Sequence, residues 1–431
     1  MLPILTIIGR PNVGKSTLFN DLTKTRAALV ADIPGVTRDR QYGTGTFDDK
    51  SFIVIDTGGI EAENTSPLTE LTHKQVEQAI DEATFILFLI DAKEGVTPTD
   101  EKIAAKLRNV SDKVIVLANK TDGEKDESSA LEAYQLGFKK VFFISAKQRR
   151  GIKNFLTEIL KDCTAETVQP KTNEITVTVI GRPNSGKSTL LNQMLGENRV
   201  MVSDIPGTTR DSIAVSFSYG KKNYLLIDTA GIRRRSRVHE TLEKFSIVKT
   251  LEAINRAQVV CVLLDATEKV TEQDLKLIGM TLNLGKGVVI LLNKMDALSG
   301  SDKKQLLNEI DRQLSFARYI PMYFISALKG TDVLKIYSGI QQVYRSATQA
   351  ISTAKLNKAL EMAVKKHQPP LVRGREVKCR YAHLGGHQPL KIIVHGTRVN
   401  NLPKAYQTYL QNHFRETFKL KGVPIQIECR E

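Results

Sequence analysis

Apolar residues gather in short runs along this chain, and the runs alternate with stretches of helical period. Residues 4–8 (ILTII), 52–55 (FIVI), 85–90 (FILFLI) and 114–118 (VIVLA) are almost unbroken hydrophobic segments, and 141–144 (VFFI) is another. Continuous apolar runs of this length predict strands buried on both faces, as in a parallel sheet. Residues 177–180, 224–227, 259–264 and 288–292 repeat the series. Helical patterns lie between them, for example over 100–107 and 273–284. Such alternation predicts a doubly wound α/β domain with mostly parallel strands, whose ligands bind at the carboxyl ends of those strands. Past residue 354 the pattern changes. A helix is expected over 355–366, strands over 376–382 and 390–395 joined through Gly385 and Gly386, a second helix over 401–418 and a last strand over 423–429. Leu402, Tyr406, Tyr409, Leu410, Phe414 and Phe418 share one face of that second helix, and Pro403 suits its first turn.

The chain also repeats itself. GRPNVGKSTLFN at 9–20 returns as GRPNSGKSTLLN at 181–192, 172 residues later. VADIPGVTRD at 30–39 returns as VSDIPGTTRD at 202–211, and IDTGGI at 55–60 as IDTAGI at 227–232, both at the same offset. NKTD at 119–122 returns as NKMD at 293–296, and SAK at 145–147 as SALK at 326–329. A period this long means a duplicated domain rather than a solenoid unit. The expected division is a first domain over 1–161, a short polar linker over 162–173, a second domain over 174–350 and a different domain over 351–431.

The repeated segments carry chemistry. Gly9, Arg10, Pro11, Asn12, Val13, Gly14, Lys15 and Ser16 form a GxxxxGK[ST] loop after a strand and before a helix. Gly181, Arg182, Pro183, Asn184, Ser185, Gly186, Lys187 and Ser188 form the second. Glycines let backbone N–H groups curl round a phosphate, and the helix N-terminus adds a favourable dipole. Lys15 and Lys187 are placed to reach the β- and γ-phosphates, and the Ser16 and Ser188 hydroxyls to bind Mg²⁺. Forty-one residues after each lysine come Asp56 and Asp228, opening Asp56-Thr57-Gly58-Gly59-Ile60 and Asp228-Thr229-Ala230-Gly231-Ile232. Each aspartate is a candidate Mg²⁺ holder, and each glycine amide a γ-phosphate sensor. Thr37 and Thr209, both 22 residues after the lysine, are assigned as the second Mg²⁺ ligands on loops ordered by a triphosphate.

The base is set by Asn119, Lys120, Thr121 and Asp122, and by Asn293, Lys294, Met295 and Asp296. A carboxylate accepts two hydrogen bonds from guanine N1–H and its 2-amino group; adenine offers neither there, so Asp122 and Asp296 should select GTP. The asparagines would brace the loop and the lysines lie over the ring. Ser145 and Ala146, and Ser326 and Ala327, offer backbone N–H to the guanine oxygen. The glutamine that often follows the Asp-x-x-Gly segment and orients the attacking water is replaced by Ile60 and Ile232, so intrinsic hydrolysis is expected to be slow.

Charge adds a partner class. The net +15 is uneven: residues 351–431 hold 15 basic and five acidic side chains, residues 1–160 hold 21 and 23. The basic end hints at a polyanion. Arg373, Arg375, Lys378 and Arg380 are its candidate RNA contacts, although no GxxG loop of the KH type is present. A run of arginines (Arg233, Arg234, Arg235, Arg237) follows the second Asp-x-x-Gly segment. No apolar run approaches the ~18–20 residues of a membrane span, and residues 1–10 lack a basic n-region, so no signal peptide is expected. Cys163, Cys261, Cys379 and Cys429 lie apart without CxxC spacing, which fits a reduced cytoplasmic setting. The histidines of the last domain show no metal-ligand spacing.

Together these motifs resemble the Era-like branch of the translation-factor-class GTPases. Two G domains followed by a basic α+β domain, the paired GRPNxGKSTL and PGxTRD segments and the RYAHxGG run at 380–386 closely resemble the Der (EngA) family of bacterial ribosome-assembly GTPases. The resemblance covers nearly the whole chain. It implies GTP hydrolysis with Mg²⁺, a KH-like C-terminal fold, and action on the large ribosomal subunit and its RNA by a protein that is monomeric off the ribosome. It also implies that Asn12 and Asn184 help hold a potassium ion bridging the phosphates, in the place of an arginine finger. Family members often have a longer, acidic linker. A tRNA-modification partner would call for a folate- or cysteine-bearing module that is not seen, and a purely protein-binding switch would not need the basic end.

Overall fold

The computed structural model describes residues 2–23, 41–48, 50–57, 77, 79–121, 131–161, 163, 174–196, 214–227, 247–372, 374–387 and 389–431. Thr37, Gly58, Gly59, Ile60, Asp122, Thr209, Asp228, Thr229, Ala230, Gly231, Ile232, the arginines at 233–237 and Arg373 lie outside them. The chain forms two compact units, Met1–Thr167 and Val168–Glu431.

The first unit is one six-stranded sheet with helices on both faces. Its described elements are β1 (Ile4–Ile8), α1 (Lys15–Thr23), β2 (Gln41–Phe47), β3 (Lys50–Asp56), β4 (Phe85–Asp91), α2 (Pro98–Leu107), β5 (Val114–Asn119), β6 (Lys140–Phe143) and α3 (Ile152–Leu160). The strand order is β2-β3-β1-β4-β5-β6, and every pairing except β2 with β3 is parallel. Six of the seven β4 residues and all six of β5 are buried. That two-sided burial is why these strands read as unbroken apolar runs. One hydrophobic cluster lies on each side, built round Phe19, Phe52 and Phe155 on one face and Phe88, Ile103 and Phe138 on the other.

The second unit opens with the same plan: β7 (Glu174–Gly181), α4 (Lys187–Leu195), β8 (Val215–Tyr219), β9 (Lys222–Ile227), α5 (Ile247–Arg256), β10 (Val259–Asp265), α6 (Glu272–Asn283), β11 (Gly287–Asn293), α7 (Gly300–Gln313), β12 (Met322–Phe324) and α8 (Lys335–Thr348). The order β8-β9-β7-β10-β11-β12 matches the first sheet strand for strand. Neither β2 nor β8 was expected from the apolar pattern. Both are antiparallel edge strands closed by a two-residue turn: Phe47 pairs with Lys50 and Tyr219 with Lys222. The turns use left-handed Asp48 (φ 45°) and Gly220 (φ 62°), the geometry tight hairpins favour.

The last domain follows as α9 (Thr353–Lys366), β13 (Lys378–His387), β14 (Leu390–Thr397), α10 (Lys404–Thr417) and β15 (Ile425–Arg430), the α-β-β-α-β order expected. Its sheet runs β13-β14-β15, antiparallel then parallel. One expectation is corrected. Gly385 and Gly386 do not join the strands; they sit inside β13 at a register shift between Leu384 and Gly386. A Cβ at Gly385 would meet the Ile393 side chain at 2.7 Å, so the glycine serves close cross-strand packing. The turn itself falls between His387 and Leu390.

This domain shares one core with the second sheet. Val343 and Ala347 of α8 belong to the same buried cluster as Leu360, Val394 and Phe414. The loop after α10 is hydrogen-bonded into the base of that sheet: Val288 N donates to the Gly422 carbonyl at 2.7 Å, and Gly422 N to that of Tyr319 at 2.9 Å. The Arg415 guanidinium lies 3.8 Å from the centroid of the Tyr319 ring. Among the described residues, no helix is long and apolar enough to cross a membrane.

Candidate nucleotide sites

The two phosphate loops leave the carboxyl ends of β1 and β7, the central strands at which the strand order reverses. That crevice is where open α/β sheets hold ligands. Asn12 (φ 65°) and Asn184 (φ 63°) are left-handed, and Gly14 (φ 99°) and Gly186 (φ 94°) adopt conformations that favour glycine. Each loop closes round its own lysine. Lys15 Nζ donates to the carbonyls of Gly9 (2.9 Å) and Arg10 (2.7 Å), and Lys187 Nζ to those of Gly181 (3.1 Å) and Arg182 (2.8 Å). Burial lowers the Lys15 pKa below the usual lysine range, partly countered by Asp56 and reinforced by Arg10. Its ammonium is thus shielded and aimed into the loop.

Ser16 and Asp56 come together although 40 residues separate them. Ser16 Oγ donates to Asp56 Oδ2 at 3.2 Å, from the first turn of α1 to the end of β3. Thr57 then ties that strand end to β1 through its hydroxyl and the Ile7 carbonyl, 2.9 Å apart. Two adjacent oxygens of this kind suit a hard cation with oxygen ligands.

At the other end of each site the asparagines act as braces. Asn119 Nδ2 donates to the Val13 carbonyl (2.8 Å) while Oδ1 accepts from Ala146 N (2.9 Å). Asn293 does the same with Ser185 (2.9 Å) and Ala327 (2.9 Å). One buried side chain therefore clamps the phosphate loop to the segment carrying Ser145 or Ser326, with each bond worth about 1 kcal/mol. In this structure the Ala146 and Ala327 amides serve the asparagine. Thr121 fixes the first segment by donating twice to the Ile144 carbonyl, at 2.8 Å from its hydroxyl and 3.1 Å from its backbone amide. In the second copy Met295 N donates to the Ile325 carbonyl at 3.2 Å. The Asp296 carboxylate sits below its usual pKa, chiefly through the Ser326 hydroxyl, with Lys329 nearby at 3.7 Å.

A sixth repeat escaped the sequence reading. DAKEGVTPTD at 91–100 and DATEKVTEQD at 265–274 share Asp-Ala-x-Glu-x-Val-Thr-x-x-Asp, and their acids touch the site in both copies. Asp91 and Asp265, at the ends of β4 and β10, form ion pairs with Lys120 and Lys294. Burial opposes the Asp265 charge, but hydrogen bonds from Lys294 and Thr267 keep its pKa below the usual range. Lys120 (φ 71°) and Lys294 (φ 65°) have left-handed backbones, and their ammonium groups are held by these aspartates. Thr97 and Asp100, and Thr271 and Asp274, make reciprocal capping boxes that start α2 and α6. The buried Asp100 and Asp274 carboxylates also hold the phosphate-loop arginines, Arg10 Nε at 3.2 Å and Arg182 Nε at 2.9 Å, while Glu94 and Glu268 bind the same guanidinium groups at 2.6 and 2.8 Å. Each phosphate loop is thereby tied to the start of the helix that follows the neighbouring strand. The three Val-Thr-x-x-Asp positions were visible by self-comparison; that their acids reach Arg10 and Arg182, some 90 residues away, was not.

Of the other candidates, Arg375, Lys378 and Arg380 lie exposed at and before the start of β13, and Lys378 pairs with Glu376 at 3.2 Å. Among the described residues, no group of three histidine, cysteine or carboxylate side chains could hold a metal ion.

Two doubly wound sheets, each with a lysine-filled phosphate loop and an asparagine-braced base segment, define a P-loop GTPase with two G domains. The family described as 50S ribosome-binding GTPase matches residues 4–120 and 176–294, and the KH-domain-like C-terminal domain of EngA bacterial GTPase enzymes matches 350–430. GTPase Der of Coxiella burnetii (strain Dugway 5J108-111) is 49% identical over 431 residues, covering 100% of this chain and 97% of the relative. Those of Idiomarina loihiensis and Legionella pneumophila (strain Corby) are each 47% identical, covering 100% of this chain and 94% and 93% of theirs. Among solved structures, the G domain of the T. maritima FeoB iron transporter aligns with 37% of this chain and 98% of its own at 23% identity and TM-score 0.31. The chain belongs to the GTPase Der (EngA) family, and it hydrolyses GTP to GDP and phosphate.

Proposed function

We propose that this GTPase is a molecular switch in the assembly and maturation of the large ribosomal subunit, binding ribosomal RNA in a nucleotide-dependent way. The observation that carries the reading is the joining of two complete G-domain copies to a domain of charge +10 in one chain. The description of the matched family, 50S ribosome-binding, points to the same subunit. In this reading the domains run 1–161, 174–350 and 351–431, with 162–173 as linker; the protein is cytoplasmic and monomeric off the ribosome.

Each site has named roles. Residues 9–16 and 181–188 wrap the phosphates, with Lys15 and Lys187 leaving their loop carbonyls for the β- and γ-oxygens. Asp122 and Asp296 select guanine, Lys120 and Lys294 cover its face, and the Ser145–Ala146 and Ser326–Ala327 backbones share their amides with its oxygen. Ser16, Thr37 and Asp56, and Ser188, Thr209 and Asp228, would hold Mg²⁺; the 3.2 Å approach of Ser16 to Asp56 fits that use. The ion neutralises charge growing on the phosphates. Asn12 and Asn184 would contribute to a potassium site that compensates for Ile60 and Ile232. Replacing Na⁺ by K⁺ at equal ionic strength should then raise the GTPase rate, and equal rates in the two salts would remove potassium from the mechanism.

The deciding experiment is co-sedimentation with large- and small-subunit particles, in GDP and in a non-hydrolysable GTP analogue, over a range of salt. The large particle and the triphosphate form should be preferred. Each neutralised phosphate contributes roughly 0.7–0.9 to the slope of log affinity against log salt. Removing Arg373, Arg375, Lys378 and Arg380 together should flatten that slope by up to about 3 units. Equal binding to both particles, or indifference to nucleotide, would overturn the reading.

A further inference from the structure

The outer face of the C-terminal sheet carries a group of rings that the nucleotide sites do not use. Across β13 and β14, Tyr381 pairs with His395 and His383 with Ile393; β15 adds Arg430 beside His395 and Glu428 beside Ile393. Side chains alternate across a sheet. These residues therefore point away from the face that buries Ala382, Ile392 and Val394 in the shared core. On that outer face Tyr381 stacks on His395 at 4.5 Å between centroids and 3° between planes, and His395 on His383 at 5.2 Å and 18°. Tyr381 and His383 also lie near-parallel, 5.9 Å and 20° apart, so the three rings form one cluster, of which Tyr381 is 44% exposed. His383 Nδ1 and His395 Nε2 have no hydrogen-bond partner among the described residues, so the imidazoles are held here by stacking rather than through these nitrogens.

Charge surrounds the rings. Lys378, Lys391 and Arg430 occupy the same face by register; Glu428 serves both Lys391 (3.1 Å) and Arg430 (2.6 Å), and Glu376 pairs with Lys378 (3.2 Å). An aromatic cluster with one exposed ring, flanked by three cations against two carboxylates, matches the two needs of an unpaired nucleic-acid strand: a π-face for a base and cations for the backbone. A duplex hides its base faces inside its own stack and would gain nothing from the rings.

We infer that this sheet face binds single-stranded RNA, with a base stacked on the exposed Tyr381 ring and the backbone met by Lys378, Lys391 and Arg430. The inference rests on the RNA-binding reading above. It moves recognition from a GxxG loop, which the chain lacks, to the open side of the sheet.

The test uses the full chain with a GTP analogue and a fluorescein-labelled decauridine, read by anisotropy at fixed salt. One base–aromatic stack is worth roughly 1–3 kcal/mol, which at 1.4 kcal/mol per decade is about fivefold to a hundredfold in affinity. Tyr381→Ala should lose about that much while keeping the salt slope, and Tyr381→Phe should bind as the parent does. The chain has no tryptophan, so Tyr381→Trp places one fluorophore at the site. Its emission should be quenched by decauridine and not by a duplex of the same length. Parent-like binding by Tyr381→Ala, or unquenched emission while RNA is bound, would overturn the sheet face yet leave RNA binding intact. Failure of the parent to bind decauridine or ribosomal RNA would remove both readings. Unchanged GTP binding and melting in the phenylalanine and tryptophan variants separate loss of the site from loss of the fold.

Discussion

The two G-domain copies share strand order, phosphate-loop geometry and the same acids about their arginines, yet their surroundings at the base of the sheet differ. In the first copy Lys113 Nζ donates to the Ala83 carbonyl at 3.1 Å and is partly exposed. In the second copy the lysine stands one position earlier: Lys286 donates to the Asn255 carbonyl at 2.7 Å but is buried, and burial lowers its pKa to about 8. Next to it, a Cβ on Gly285 would press on Pro389 of the β13–β14 turn. The same change marks the closing helix, nine residues in α3 and fourteen in α8, whose Val343 packs against Gly422. Duplication thus kept the ligand end of the domain and reworked the opposite end as a seat for the C-terminal domain. The part bound by GTP geometry has little room to vary; the far end had only solvent to satisfy.

The largest test of this equivalence is at the phosphate loops. Lys15→Ala and Lys187→Ala should each abolish nucleotide binding at its own copy, by at least about 100-fold. Nucleotide stoichiometry by calorimetry should fall from two to one in both. If one substitution emptied both sites, the copies would not be independent.

Next comes the seat. Gly422 has φ 67°, and a Cβ there would lie 2.6 Å from the Val288 carbonyl oxygen. Gly422→Ala should cost about 3 kcal/mol and lower the melting of the second unit alone. A loss in the first unit would contradict the division at 167.

Lys286→Met should stabilise the second unit by about 2 kcal/mol at pH 7, whereas Lys113→Met should change the first by less than about 0.5 kcal/mol. The sign follows from proton linkage. The folded pKa of about 8 lies below the ordinary 10.5, so between these values the unfolded chain holds the extra proton. Stability of the parent therefore rises from pH 8 to 10.5 and carries the full penalty below 8. The advantage of Lys286→Met should shrink over that window, and a constant difference would rule out the buried charge as its cause.

The smallest effect is expected at Glu94 and Glu268, whose side chains are more than half exposed. Glu94→Gln and Glu268→Gln should each alter stability by no more than about 1 kcal/mol, with the GTPase rate of the two copies changed alike. A large effect in one copy only would show that the arginine ties are not equivalent.

The central strands and both phosphate loops were legible because they are written locally. Phe85–Asp91 is apolar because both its faces are covered, and Gly14 recurs because a close turn requires it. The edge strand Gln41–Phe47 (QYGTGTF) was not legible, since only one of its seven residues is buried. Its half-exposed, glycine-broken sequence has no core to pattern it. The ties from Asp91 to Lys120 and from Asp100 to Arg10 were hidden for another reason. They join residues adjacent only once β4, β5 and the phosphate loop are assembled. Periodicity sees neighbours along the chain; these contacts are made across it. The Gly385–Gly386 pair misled because glycines mark a close approach inside β13 as readily as a turn.

The hydrogen bonds that join Val288 and Tyr319 to Gly422 carry a consequence for how the chain is made. During synthesis the second G domain emerges with the base of its sheet unfinished, and the Val288 amide and the Tyr319 carbonyl must wait for Gly422, which is made after both. Until Gly422 is in place these two groups have water for a partner, and Val343 of α8 has its contact with Gly287 but not the one with Gly422. The growing chain is thus open there to proteases and to mispairing until Gly422 folds back, and a chain interrupted between residues 350 and 422 would hold two recognisable G domains of which only the first is finished.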